Sequence, residues 1–302
     1  MIEKNVALVL GGGGAAGNAW MIGIIAGLAE GGVDLTEVAD LVIGTSAGAD
    51  AAARVRSGRT PAELLDAVLT PAAPPGPMRP PGPPPQMDAV FERMRSISAA
   101  ATTPAELQRA MAAYGLESDA SFGPEVAEKR RAMIAARLPY TDWPERPMVV
   151  VAVSAETGEH VMFDRSSGVS LVDAATAAIA LPGAGPTHTI NGTRYISGGV
   201  RSADNADLAM GYTSVVVLAP LSGRTGPLPP GQFEGLRRPP GADLQSQVEA
   251  LRKEGSRVEV ISPDAESRDA MGINQMDPAT RIPSAQAGFA QGRLEAARLA
   301  FL

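Results

Sequence analysis

Residues 6 to 10 read VALVL and are followed at once by four glycines. A β-branched and aliphatic run with no polar side reads as a strand buried on both faces, and the glycines read as a tight turn out of it. Residues 18 to 30 then look helical. A second unit of the same kind follows: DLVIG at 40 to 44 precedes TSAGADAAARVRSG, alanine-rich and with Gly58 placed as a C-cap. Strand, turn and helix in succession predict an α/β protein with a mostly parallel sheet.

The rest of the chain fits one domain with loop insertions. PAAPPGPMRPPGPPP, 71 to 85, has too few backbone donors for helix or sheet and reads as an exposed polyproline loop. Residues 87 to 138 are helical in pattern, with starts after Thr103 and near Pro124, and are expected to cap one face of the sheet. PMVVVAVSAETGEHVMFD predicts two strands joined by a turn at 156 to 159. THTINGTRYI predicts a hairpin turning at Asn191 and Gly192. SVVVLAP at 214 to 220 and VEVIS at 258 to 262 are further strands. A proline- and glycine-rich stretch near 220 to 241 precedes a helix at 242 to 255, and SAQAGFAQGRLEAARLAF reads as an amphipathic helix.

Composition narrows the function classes. With 302 residues, 45% of them apolar, the chain can bury a large core. Its 26 basic and 33 acidic residues leave a net charge of -7, which argues against recruitment to nucleic acid or anionic lipid by overall charge. There is no cysteine, so disulfides, thiolate metal sites and cysteine nucleophiles are excluded. Two histidines, His160 and His188, leave little for a multi-histidine metal site, and no cofactor is indicated. The N-terminal apolar run ends in glycines, unlike a signal peptide, and the longest apolar stretch, Trp20 to Ala29, is too short to span a bilayer. A cytoplasmic protein is expected.

Two glycine motifs carry the chemistry. Gly44-Thr45-Ser46-Ala47-Gly48 has the form G-x-S-x-G between a predicted strand and a predicted helix. That context defines a nucleophile elbow: small neighbours permit a sharp turn that exposes the hydroxyl at a helix N-terminus. A serine that merely caps the helix is the alternative. Gly12, Gly14 and Gly17 of GGGGAAG match G-x-G-x-x-G, a dinucleotide fingerprint, but that reading wants an acidic residue closing the second strand, and Asp34 and Asp40 both precede it. Placed beside Ser46, the N–H groups of Gly12, Gly13 and Gly14 would instead form an oxyanion hole.

With GGGGAAG, GTSAGA, AIALPGAGP and YISGGVRSADNADLA in this order, the chain resembles the patatin-like phospholipases, closest to their bacterial members, over nearly its whole length. The resemblance implies a three-layer α/β/α fold with a helical cap and a Ser-Asp dyad that cleaves lipid acyl esters without histidine. It implies Ser46 as nucleophile, Gly12 to Gly14 as oxyanion hole, Gly44 and Gly48 as the elbow glycines, position 197 as general base, and Gly198, Gly199 and Asn205 as its support. The family's motif at the base is D-G-G or D-G-A, whereas here it is Ser197-Gly198-Gly199; Ala16 also stands where many relatives carry a lysine or arginine.

A serine hydroxyl has no useful basicity near neutral pH, so Ser197 can orient Ser46 but cannot take its proton. Three groups are candidate substitutes. His188 should face the same side of the hairpin as Ser197, about 7–8 Å away. Asp204 lies seven residues beyond Ser197 and would have to fold back. Asp50, one helical turn past Ser46, should point along its own helix. Asn205 is expected to hold its loop by side-chain hydrogen bonds. Three functions follow: a lipid acyl hydrolase impaired at its base, a non-catalytic acyl or lipid binder, or an acyltransferase in metabolite synthesis. The expected partner is an acyl ester or lipid, with peripheral membrane contact open and no nucleic acid.

Overall fold

The computed structural model describes residues 5–70, 87–222, 236 and 238–302. The proline-rich loop expected at 71 to 85 lies outside the described residues, as does most of the second proline-rich stretch. Eight strands form one sheet: β1 (Val6–Leu10), β2 (Leu41–Thr45), β3 (Met148–Ser154), β4 (His160–Phe163), β5 (His188–Ile190), β6 (Thr193–Ser197), β7 (Ser214–Leu218) and β8 (Arg257–Ile261). Five of them, in the order β3-β2-β1-β7-β8, are mutually parallel, while β4 and β6 pair with β3 in the antiparallel sense. Every predicted strand is present, and the hairpin turns where expected, with Asn191 at φ 50° and Gly192 at φ 84°.

The helices are α1 (Gly14–Glu30), α2 (Leu35–Val38), α3 (Ala47–Val55), α4 (Pro61–Leu69), α5 (Met87–Ala100), α6 (Pro104–Ser118), α7 (Pro124–Arg137), α8 (Leu171–Ala178), α9 (Leu244–Lys253), α10 (Ala265–Met271) and α11 (Arg281–Glu295). Side chains alternate across a strand, and β1 shows the consequence. Leu8 and Leu10 enter a cluster with α1, α3, α4, α8 and α11, while Ala7 and Val9 enter another with Leu244, Val248 and Leu251 of α9. Both faces of the sheet are covered, which makes three layers. Helices α5 and α6 pack around Val153 and Ile196, and Ile134 of α7 joins the α1 side.

Two helices differ from their sequence reading. Helix α1 starts at Gly14 rather than at residue 18. Glycine's poor helix propensity hides those first turns, yet a Cβ on Gly13 or Gly17 would lie 2.7 or 2.9 Å from Pro220, so packing demands glycine there. Helix α11 presents Ser284, Ala285, Gly288, Gln291 and Gly292 inward, a small and polar face instead of an apolar stripe. The reason is close approach to α1. A Cβ on Gly23 or Gly27 would lie 2.1 or 2.2 Å from a carbonyl oxygen of α11, and one on Gly288 or Gly292 2.4 Å from a carbonyl of α1.

Candidate active site

Ser46 sits between the end of β2 and the first residue of α3, with φ 53° and ψ −119°. That is a conformation L-residues avoid, held by its surroundings. A Cβ on Gly48 would lie 2.0 Å from the Leu10 carbonyl oxygen, and one on Gly44 2.6 Å from the Cα of Ala49. Both glycines are therefore steric requirements of a helix that starts hard against two strand ends. Ser46 occupies the N-cap position, but its side chain makes no capping bond, so the hydroxyl is not spent on the helix. The residue is half-buried and opens into a cavity.

The glycine loop lies alongside. A Cβ on Gly12 would sit 3.5 Å from the Ser46 Cβ, so the loop backbone passes directly over the hydroxyl-bearing residue. The N–H of Gly12 donates to the Ala203 carbonyl at 2.8 Å, which leaves it occupied. Among the described residues the N–H groups of Gly13 and Gly14 have no acceptor. They are the leading donors of α1, which carries neither a side-chain cap nor an acidic residue in its first turn. The Ala16 N–H is taken by the Gln275 carbonyl at 3.0 Å, so the positive end of that helix meets the cavity through Gly13 and Gly14. Of the three glycines singled out in the sequence, Gly13 and Gly14 hold the free donors.

Ser197 arrives by strand register. On one edge of β3, Thr45 of β2 lies opposite Val151, and Ser197 of β6 lies opposite Ala152, the next residue. The parallel strand β2 and the antiparallel strand β6 therefore run head to head in one lane, and their ends, Ser46 and Ser197, meet at the junction. A Cβ on Gly199 would lie 3.3 Å from Ser197 Oγ and 4.0 Å from Ser46 Cβ. Ser197 Oγ accepts the Gly199 N–H at 3.2 Å and is almost fully buried, yet it lines the same cavity as Ser46. Gly198 has no room for a side chain, since its Cβ would lie 2.6 Å from the Val151 carbonyl.

The cavity measures about 1510 Å³, and its wall is largely apolar, with Met94, Ile179, Leu181 and Leu244 lining it together with the two serines. A serine in a strained strand-to-helix turn, free N–H donors beside it and an apolar chamber are thus in one place. The model of the patatin-like phospholipases matches residues 8–210, from β1 through the elbow and past Ser197 to the following loop. The chain belongs to the patatin-like phospholipase family. No curated protein matches it. Among solved structures it is similar to the type III effector protein ExoU, at 15% identity and a TM-score of 0.37 over 96% of this chain and 54% of that one. It spans about half the length of that protein.

The remaining residues singled out from the sequence take varied places around this patatin-like site. Asn205 adopts a left-handed conformation with φ 56°. Its Nδ2 donates to Thr45 Oγ1, the Gly198 carbonyl and the Ser202 carbonyl at 3.0, 3.2 and 3.0 Å, and its Oδ1 accepts from Arg201 at 2.7 Å. It thereby ties the end of β2 to the turn after Ser197. His188 pairs with Tyr195, as the hairpin register requires, but its Nε2 meets Asp173 Oδ1 at 3.0 Å and it does not line the cavity. Burial pushes its pKa below the ordinary value even though Asp173 pulls it up, which favours a neutral ring.

Asp204 is wholly buried, and neither carboxylate oxygen has a hydrogen-bond partner among the described residues. A Cβ on Gly11 would lie 2.4 Å from its Oδ1. Because successive positions of an extended chain face opposite ways, Gly11 faces Asp204 while Gly12 faces Ser46, and the loop runs between the two. Burial raises the Asp204 pKa to about 6, and Ser222 and Arg238 nearby only partly oppose it.

Two further groups at the site, Arg238 and Asn18, were not singled out in the sequence. Arg238, half-buried, donates to the carbonyls of Gly199 and Val200 at 2.8 and 2.7 Å and so braces the Ser197 turn. Asn18 donates to the Ala47 carbonyl and to Asp50 Oδ2, both at 3.0 Å, joining α1 to the first turns of α3. Asp50 also pairs with Arg54 at 2.9 Å. The i, i+4 spacing of Asp50 and Arg54 was visible in the sequence; contacts across 30 to 40 residues, such as those of Asn18 and Arg238, had no local signal.

Proposed function

We propose that this patatin-like protein is a serine acyl hydrolase of lipid or related acyl esters, with Ser46 as nucleophile and turnover limited at position 197. One observation carries the reading: Ser46 is held in a strained turn with its hydroxyl unspent, opening into a largely apolar cavity beside the N–H groups of Gly13 and Gly14, which have no acceptor among the described residues. Attack by Ser46 Oγ on an ester carbonyl would place negative charge on the carbonyl oxygen. Donors already fixed at a helix N-terminus stabilise that charge without reorganising. Of the expected oxyanion donors, Gly13 and Gly14 are ready, and Gly12 would have to exchange the Ala203 carbonyl for substrate.

The step that lacks a group is removal of the Ser46 proton. Ser197 is next to Ser46 across Gly199 but already accepts the Gly199 N–H, and a neutral hydroxyl is no base. An aspartate there would accept the same N–H with one oxygen and turn the other toward Ser46. The test uses the protein, Ser197→Asp and the Ser197→Asp, Ser46→Ala double variant with a short-chain activated ester and a fluorophosphonate label. Ser197→Asp is expected to raise turnover on the order of 10²-fold or more, the usual contribution of a placed general base. Labelling is expected to fall on Ser46 and to vanish with Ser46→Ala. No gain in the Ser197→Asp variant removes the lost-base reading, and no labelling in it removes the nucleophile.

Because the Ser197 hydroxyl is already engaged by Gly199, a second reading has support of its own: a site that holds acyl groups without turning them over. It calls for ester binding by the unmodified chain with no covalent adduct.

A further inference from the structure

The cavity wall beyond Ser46 is not uniformly apolar. Arg54 of α3, Arg137 at the end of α7 and Arg281 at the start of α11 all line it, and the carboxylate among them is Asp50. Arg54 pairs with Asp50 at 2.9 Å and donates to the Arg137 carbonyl at 3.1 Å, while Arg137 comes no nearer than 4.0 Å to the same carboxylate. Arg281 has no carboxylate partner among the described residues. It is half-buried, and both burial and the positive charges of Arg54 and Arg137 lower its pKa. Three guanidinium groups against one carboxylate leave an excess of two positive charges at one place, with Arg54 mostly buried, Arg281 half-buried and Arg137 exposed.

A half-buried positive charge without a carboxylate partner, as at Arg281, is costly, and three chain-distant elements bring their guanidinium groups to it. Guanidinium groups that converge in this way form the usual receptor for the oxygens of a phosphate or carboxylate. Asp50 lies four residues past Ser46, about 6 Å along the helix axis, and Arg54 about 12 Å, so the cluster lies farther along the cavity wall that Ser46 also lines. Asn18 keeps that spacing by bonding both Ala47 and Asp50.

We infer that Arg54, Arg137 and Arg281 form a subsite for an anionic group, a phosphate or a carboxylate, on the molecule whose acyl ester is presented to Ser46. The subsite rests on the reading of the cavity as an acyl-ester site, but its test needs no turnover. The whole protein is titrated calorimetrically with decyl phosphate, decanoate and decanol, each below its aggregation concentration. The same titrations are made with the Arg137→Gln, Arg281→Gln double variant and with its Arg137→Lys, Arg281→Lys counterpart.

The expected result is that one or both anions bind on the order of 10-fold tighter than decanol, as charge-assisted hydrogen bonds imply. Whichever of decyl phosphate and decanoate binds tighter identifies the anion. The Gln variant should lose that preference while binding decanol as before, and the Lys variant should keep most of it. Added salt should weaken the anions alone. Equal binding of all three probes, or a preference that survives in the Gln variant, overturns the inference. So does loss of the preference in both variants alike, because a charge site would tolerate lysine. A protein that shows the anion preference but no labelling at Ser46 in any variant loses the hydrolase reading and keeps the subsite.

Discussion

At Ser46 the backbone is bent to φ 53° and ψ −119°, and that angle, not the side chain, is the first thing the site needs. Residues with a Cβ are strained there; glycine is not. Ser46→Gly should therefore stabilise the fold by about 1 kcal/mol, measured by urea unfolding, while Ser46→Ala, which keeps the strain, should change stability little. Equal stability of the Gly and Ala variants would mean that the turn stores no strain. At Ser197 the same scale yields a different lesson. A side chain one carboxylate short of a base still accepts the Gly199 N–H at 3.2 Å, so the turn keeps its shape when the chemistry is lost. Fold and activity separate at that residue because the hydrogen bond to Gly199 needs only an oxygen, whereas proton transfer needs a basic one.

Among the elements, α1 is decisive: its start puts at the cavity wall the N–H groups of Gly13 and Gly14, which have no acceptor among the described residues, and it packs backbone to backbone on α11. Gly27 and Gly292 face each other, and Gly23 and Gly288 lie against backbone of the opposite helix, at separations that leave no room for a methyl group. Gly27→Ala should cost about 2 kcal/mol or more by overpacking, since its Cβ would lie 2.2 Å from the Phe289 carbonyl. Gly32→Ala, one turn beyond, has open space and only a φ of 94° to oppose it, and should cost about 1 kcal/mol. Denaturant midpoints of the two variants compare packing with backbone strain directly; a smaller loss for Gly27→Ala would show that the two helices can separate. The strands were legible because β-branched runs buried on both faces have no other stable place. The start of α1 and the inward face of α11 were not, because both rely on glycine, whose presence records the nearness of a distant backbone.

For the whole molecule, Asp204 is a group whose burial opposes folding. Its pKa rises from the unfolded value near 3.8 to about 6 in the fold, so the folded state holds its proton more tightly. The sign follows: the penalty is absent below pH 4, grows as the pH climbs through 6, and is constant above. A shift of that size corresponds to a few kcal/mol at most. Asp204→Asn should be more stable than the parent at pH 7.5, with the difference in melting temperature shrinking toward zero as the pH falls to 4. A pH-independent difference would show that ionisation is not the cause.

What the sequence determined by itself is the alternation of strands and helices, the two glycine turns and the presence of a serine at the elbow, because each depends on residues within a few positions of one another. The missing carboxylate at 197 belongs to the same class, being a departure from a local motif. The tertiary structure decided which donors are free and which groups face each other. Gly12 spends its N–H on Ala203, His188 turns to Asp173, and Asp204 lies behind the glycine loop. Arg54, Arg137 and Arg281 meet although more than 200 residues separate the first from the last. Those outcomes follow from strand order and register. The lane that β2 and β6 share along β3 brings Ser46 to Ser197, and no property of either segment read alone specifies it.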